Sequence, residues 1–128
     1  MRKIIAGRRI TSTDRGWIFR GCANHAGLID AALGAQFSRI AKAAGFAVYK
    51  PIASRKFGEK GGVTVSVVIG ESSLDVHTWP EFSAAHIRLF YSHYSKNNHA
   101  KAQRFLAGAK AYFRPSAVQE VERRTFTV

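Results

Sequence analysis

The chain has 128 residues, of which 46% are hydrophobic, and a formal net charge of +12 at pH 7. This length predicts a single domain, residues 1–128, and the apolar fraction excludes a chain that is disordered throughout. No apolar run approaches the ~18 residues that a membrane helix needs. The basic start, Met1 to Ile10, lacks the apolar core of a secretory signal. The chain has a single cysteine, Cys22, which excludes an internal disulfide.

We therefore expect a cytoplasmic protein without a membrane segment and without a metal site. Its positive residues are scattered along the chain and form no stripe on one helix face. A solvated basic surface is the expected reading of the charge, and a nucleic-acid partner is possible but not favoured.

The first predicted elements are a strand and a helix. Arg15 to Cys22 combines aromatic and β-branched residues and predicts a strand. Asn24 can cap the start of a helix, and apolar residues recur at helical spacing after it. Gly45 is expected to end this helix, because glycine readily adopts the left-handed conformation of a C-terminal cap.

The next predicted elements are an edge strand and a loop. Phe46 to Ile52 predicts a strand, and Pro51 places its end at a sheet edge. Ser54 to Gly62 is glycine-rich and charged, which predicts a mobile loop. Its aromatic residue, Phe57, either packs on the protein's own core or offers a platform to a flat ligand.

Three strands follow in succession, at Val63 to Ile69, Leu74 to Thr78 and Ala85 to Tyr91. A second helix starts at Asn98 and ends before Pro115, and Ala117 to Glu122 predicts a last strand. This order predicts an α+β fold, a two-layer α/β sandwich of a mainly antiparallel sheet with two helices on one face. The uncovered face of such a sheet predicts pairing of sheets in a dimer.

The stretch Gly70 to Glu81 concentrates reactive side chains between two strands. A serine held in a tight turn can attack the carbonyl that precedes it, and a nearby base can then eliminate the resulting ester. Ser72 is the candidate nucleophile, and His77 is close in sequence. Strand pairing is expected to bring the hydroxyl of Thr64 near Ser72. Considered alone, these residues also suit an ordinary turn followed by a structural histidine.

The same stretch resembles a known family. Glu71-Ser72 followed by the HTWPE block, residues 77–81, is similar to the signature of the small prokaryotic S-adenosylmethionine decarboxylases. Phe19 to Cys22 is similar to the family's first strand, and Arg39 to Gly45 is similar to the end of its first helix. The resemblance covers most of the chain, and the HTWPE block is its specific part.

The resemblance implies a proenzyme that cuts itself between Glu71 and Ser72 and converts Ser72 into a pyruvoyl group. This group would form a Schiff base with the substrate amine and draw electrons as carbon dioxide leaves. By similarity, His77 and Thr64 would assist processing. Glu81, Phe57 and Trp79 would bind S-adenosylmethionine, for polyamine (spermidine) synthesis in a homodimer or higher oligomer.

Three positions depart from the family. Ser92 stands where the resemblance implies a catalytic cysteine, Ser73 where it implies a histidine, and Arg88 where it implies an acidic residue. A serine is a far weaker acid than a thiol with a pKa of ~8.5, so His93, Tyr91 or water are alternative proton donors. Two further functions stay open: a related pyruvoyl decarboxylase acting on arginine or ornithine, and an unprocessed, non-catalytic homologue that binds a nucleoside or a protein partner.

Overall fold

The computed structural model describes residues 10–93 and 97–127 as one six-stranded antiparallel sheet with helices on one face. The strands are β1 (Thr11–Arg20), β2 (Tyr49–Phe57), β3 (Gly62–Ile69), β4 (Ser72–Trp79), β5 (Ala84–Ser92) and β6 (Ala117–Thr127). The helices are α1 (His25–Leu28), α2 (Leu33–Ala44) and α3 (His99–Phe113). The order across the sheet is β2-β3-β4-β5-β1-β6. The predicted two-layer α+β architecture is confirmed.

The core lies between the sheet and the two long helices. Alternate side chains of β3, β4 and β5 are buried, as in Val65, Val76 and Ile87, because strand side chains point alternately to the two faces. Phe37 of α2 packs against Phe105 of α3, with ring centroids 6.0 Å apart. The opposite face of the sheet has no covering layer within the described residues, and we call it the open face.

The predicted first helix is interrupted. Asn24 caps α1 by accepting the Gly27 amide hydrogen at 3.0 Å. The chain then leaves the helix at Ile29, and the Asp30 carboxylate accepts the Ala32 amide hydrogen at 2.8 Å. Asp side chains compete with helical bonds in this way. After this break α2 runs to Ala44, and Gly45 forms the predicted left-handed cap at φ 105°.

The predicted loop from Ser54 to Gly62 is mostly strand, so that prediction is wrong. Strand β2 continues to Phe57 and pairs with β3, which leaves only residues 58–61 as a turn. The pairing of Lys56 with Val63 supplies backbone bonds that outweigh the low strand preference of the charged residues. The position of β2 at the sheet edge, with Pro51 in it, is as predicted.

The remaining elements follow the prediction with shifted ends. Strand β1 begins earlier than expected, and β6 continues to Thr127, five residues beyond the predicted end. Helix α3 ends at Phe113, before Pro115. None of the helices in the described ranges has the length and apolar character that a bilayer span requires. The basic residues Arg2, Lys3, Arg8 and Arg9 lie outside the described part of the chain.

Candidate active site

A cavity of about 640 Å³ lies at the end of the sheet where the β2–β3 turn meets the end of β4. Five of the predicted site residues line it, and we call this region the cavity end: Phe57, Thr64, His77, Trp79 and Glu81. Gly62 also lines the cavity and has no room for a side chain, since a Cβ there would lie 2.8 Å from the Thr78 carbonyl oxygen. The fold therefore brings together the predicted substrate-binding residues and two of the predicted processing residues.

Thr64 and His77 form the polar centre of the cavity end. They lie directly opposite each other on β3 and β4, with Thr64 Oγ1 3.3 Å from His77 Nδ1. Both side chains are on the open face, where alternate residues of β4 point away from the core. The hydroxyl therefore fixes the orientation of an imidazole that is accessible from outside the sheet.

Aromatic rings form the rim of the cavity. Phe57 is 51% exposed and Trp79 is 42% exposed, and the Trp79 ring lies 6.3 Å from that of His77. Exposed aromatic faces of this kind suit the stacking of a flat ligand. The carboxylate of Glu81, in the short 3₁₀ turn Pro80–Phe82, lies at the same rim and can accept hydrogen bonds from ligand hydroxyl or amine groups.

Ser72 is at the other end of β4. The turn between β3 and β4 has only two residues, Gly70 and Glu71, and Gly70 has φ 66°, as a tight hairpin with glycine first requires. Ser72 pairs with Ile69 and opens the strand, whereas we predicted it within the connection. Its side chain is 6% exposed and faces the helices, beside a small cavity of about 150 Å³.

Thr64 is therefore not the partner of Ser72 that the sequence suggested. The tight turn sets the register, and that register pairs Thr64 with His77. Ser72 and His77 are five residues apart on one extended strand, which corresponds to about 17 Å at roughly 3.3 Å per residue. An odd separation also places their side chains on opposite faces.

Ser92 lies at the same end of the sheet as Ser72, and we call this region the serine end. Phe90 pairs with Ser73, and Ser92 follows two residues later on β5. Asn98 lies near both serines, because it lines the small cavity beside Ser72 and its side-chain amide donates to the Ser92 backbone carbonyl at 2.7 Å.

The alternative proton donors His93 and Tyr91 also lie toward this end. His93 Nδ1 accepts the Asn98 amide hydrogen at 3.1 Å, and its Nε2 lies 3.4 Å from Thr13 Oγ1 on β1. Burial lowers the pKa of His93, with nearby His99 as the second cause. The hydroxyl of Tyr91, a fully buried residue, lies 2.9 Å from His99 Nδ1.

Sequence reasoning missed two residues next to the cavity end. His86 pairs with His77 across β4 and β5, their ring centroids are 6.2 Å apart, and burial followed by the charge of His77 lowers the His86 pKa. Thr78 is buried, accepts the Val63 amide hydrogen at 2.8 Å and donates to the Leu28 carbonyl at 2.7 Å. Residues equally far from a hairpin turn face each other on the two strands. His77 and His86 are each three residues from the turn at 80–83, so the position of this turn would have predicted their pairing.

In the described ranges, no group of three or more His, Cys, Asp and Glu residues is arranged to hold a metal ion. Cys22 is buried, and burial raises its pKa to about 11, which keeps the thiol protonated at neutral pH.

Comparison with known proteins gives consistent results. Residues 19–124 match a family model described as S-adenosylmethionine decarboxylase. The chain is 32% identical over 88 residues to an S-adenosylmethionine decarboxylase proenzyme of Pyrobaculum arsenaticum, a match covering 69% of this chain and 66% of the relative. It is 47% identical over 47 residues to an arginine decarboxylase proenzyme of Aeropyrum pernix, covering 37% of this chain and 36% of that one. The matches span from about a third to two thirds of these relatives' lengths.

A solved structure has the same fold. The crystal structure of the adenosylmethionine decarboxylase from Aquifex aeolicus VF5 superposes with a TM-score of 0.74, covering 93% of this chain and 91% of the other. The sequence identity is 14%, so this match concerns the fold alone.

Proposed function

The chain belongs to the S-adenosylmethionine decarboxylase family, and from this membership we propose that it is a self-cleaving proenzyme of a pyruvoyl-dependent decarboxylase acting on S-adenosylmethionine in polyamine synthesis. The observation that carries the proposal is the convergence of Phe57, Thr64, His77, Trp79 and Glu81 on one cavity within the stretch that matches the family model.

In the proposed processing step, the Ser72 hydroxyl attacks the Glu71 carbonyl carbon, and the amide nitrogen leaves as the ester forms. A base then removes the Ser72 α-proton, which expels the Glu71 carboxylate and leaves dehydroalanine. Water converts this to the pyruvoyl group and releases ammonia. His77 is the proposed base, since an imidazole is suited to proton transfer near neutral pH, and Thr64 orients its ring.

The position of Ser72 is compatible with this group. The carbon atoms of the pyruvoyl group are those of Ser72 and its ketone oxygen comes from water, and the small cavity beside the Ser72 side chain offers room for a substituent. When formed, its ketone supplies the electron sink for loss of carbon dioxide.

His77 cannot reach Ser72 in the same chain, because about 17 Å of strand separates them. We therefore propose a homodimer in which the cavity end of each chain faces the serine end of the other. A twofold axis creates two equivalent sites of this kind. Thr64 and His77 are on the open face, whereas the Ser72 side chain faces the helices. His77 of one chain would therefore approach Ser72 of the other from the β3–β4 turn at the serine end.

In the assembled site, Phe57 and Trp79 would stack on the adenine ring and Glu81 would accept hydrogen bonds from the ribose hydroxyls. These residues bind and orient the substrate. The serine end of the partner would present the reacting group, and Ser92 would lie at the same end on the neighbouring strand β5, where the alternation of the strand turns its side chain toward the opposite face from Ser72.

A second substrate class is tested alongside the first because of the similarity to an arginine decarboxylase proenzyme. A carboxylate such as Glu81 binds a guanidinium or amine as well as a hydroxyl. The experiment is release of labelled carbon dioxide from S-adenosylmethionine, arginine and ornithine. Release from the first alone supports the proposal, and release from arginine or ornithine alone replaces it. A cleaved protein that acts on none of them contradicts all three assignments.

A further inference from the structure

The helical layer has a charge composition that the decarboxylase proposal does not use. Helices α1, α2 and α3 contain no aspartate or glutamate, so all eight carboxylate side chains lie elsewhere. The two long helices carry five lysines and arginines. The outer surface of this layer therefore presents a quarter of the chain's 20 lysines and arginines on helices that carry no carboxylate of their own. The carboxylate of Asp30, in the break between α1 and α2, lies at one side of this layer, 3.3 Å from the Tyr112 hydroxyl of α3.

Four of these cations are solvent-exposed: Arg39, Lys42, Arg104 and Lys110. Within the described residues, none of the four forms an ion pair with a carboxylate. Arg104 donates to the Ala44 carbonyl at 3.0 Å, which caps the end of α2 and holds the guanidinium over the seam between the helices. Their charge is thus directed to solvent and is available to an anionic partner.

Two of these cations, Arg39 and Arg104, line a groove between the two long helices. The groove has a volume of about 290 Å³, and Ile40 and Gly108 lie in its floor. The helices touch at this groove, because a Cβ on Gly108 would lie 2.7 Å from Ile40 Cγ2. The exposed positions around it are largely alanines, such as Ala43, Ala107 and Ala111, which leave a backbone room to approach.

The kind of polyanion follows from what the helices lack. The large exposed apolar residues of the described chain, such as Phe82 and Phe126, lie outside the helices, so this layer offers nothing to insert into a lipid surface. It also offers no exposed aromatic ring on which unpaired bases would stack. Regularly spaced phosphates on a duplex match an array of exposed cations on helices that carry no carboxylate of their own.

We propose that the outer surface of α2 and α3 binds the sugar–phosphate backbone of duplex nucleic acid without reading its sequence. This activity is independent of the proposed decarboxylase site, which lies at the ends and open face of the sheet. Counterion release drives such binding, so its affinity falls steeply with salt.

The test uses the full chain and a fluorescein-labelled RNA duplex of about 20 base pairs, with binding followed by anisotropy between about 50 and 200 mM salt. The helix variant combines Arg39→Gln, Lys42→Gln and Lys110→Gln. The control variant combines Lys50→Gln, Lys56→Gln and Arg124→Gln, which are exposed on β2 and β6 and remove the same charge. At about 0.9 per phosphate contact, the slope of log affinity against log salt becomes shallower by about 2.7 in the helix variant. The control keeps the wild-type slope.

Equal losses in both variants would overturn the proposal, since only the net charge would then matter. Absence of binding at the lowest salt, or binding to phosphatidylserine vesicles but not to the duplex, would also overturn it. If the helix variant loses its helical circular dichroism, a second variant, Ala107→Glu with Ala111→Glu, replaces it in the experiment. This pair adds carboxylates at exposed helix positions without removing a charged side chain. The same weakening is expected from this pair, and wild-type affinity in it contradicts the proposal.

Discussion

Ser72 and His77 lie on the same strand, five residues apart, and their side chains point to opposite faces of the sheet. The proposed nucleophile and the proposed base therefore lie toward opposite ends of the sheet, at the serine end and the cavity end. If they act together, they act between two chains. This relationship determines the most informative mutational experiment.

We predict that two inactive variants restore each other. Ser72→Ala lacks the nucleophile, and His77→Ala lacks the base, so neither is expected to cleave alone. In an equal mixture that has exchanged subunits, the His77→Ala chain meets an intact His77 in its partner. About half of these chains then become cleavable, as random pairing in a twofold dimer requires.

The readout is a denaturing gel of the refolded mixture. Cleavage within each chain predicts no fragments at any mixing ratio, and that result would exclude the arrangement between chains. Mixing the Ser72→Ala variant with a double variant, Ser72→Ala with His77→Ala, is the matched control and gives no fragments in either case.

Much of the fold could be predicted because periodicity reports burial. The alternation in Val63 to Ile69 and Ala85 to Tyr91 and the helical spacing before Gly45 each follow from one face packing on the core. The ends of elements were less predictable. The charged residues from Ser54 to Phe57 have little strand preference, and only their pairing with β3 makes them a strand.

The sequence named residues that line the cavity end, but it did not give their geometry. The HTWPE block identified His77, Trp79 and Glu81, and the cavity contains all three. The distance from Ser72 to His77 depends on where β4 begins, and two serines give a weak signal for a strand start. With the strand extended to Ser72, the odd spacing alone would have placed the two side chains on opposite faces.

The two threonines of the cavity end are expected to separate processing from stability. Thr64→Val removes the hydroxyl next to His77 Nδ1, and we expect much slower self-cleavage with little change in the free energy of unfolding. Thr78→Val removes bonds to Val63 and Leu28 in a buried position and is expected to cost about 1–3 kcal/mol. Urea unfolding and a cleavage time course on both variants measure the two effects. Slow cleavage in Thr78→Val together with lost stability in Thr64→Val would contradict these two roles.

Substrate binding is expected to depend on Glu81 and Phe57 without affecting cleavage. Glu81→Gln weakens charge-assisted hydrogen bonds worth about 1.5–3 kcal/mol, so KM for S-adenosylmethionine should rise by about 10- to 100-fold. Phe57→Leu removes the ring while keeping an apolar side chain, and a similar direction is expected. Steady-state kinetics on fully cleaved protein gives the values. An unchanged KM in both variants would show that the substrate binds elsewhere.

Stability is expected to fall as the pH drops through about 6.5. His93 has a pKa lowered by burial, so between its folded value and ~6.5 the unfolded chain binds more protons than the folded one. The folded state therefore loses stability toward acid across that window. His93→Gln should flatten the decline in Tm between pH 7 and 5, whereas His25→Gln, at an exposed position, should not. Identical pH profiles for wild type and His93→Gln would contradict this origin.

The central claim is that the chain cuts itself between Glu71 and Ser72, and the intact mass of the purified protein tests it most directly. The account predicts two fragments, residues 1–71 with a free carboxyl end and residues 72–128 beginning with a pyruvoyl group, while Ser72→Ala stays whole. A wild-type chain that keeps its full-length mass after prolonged incubation at neutral pH would contradict the account.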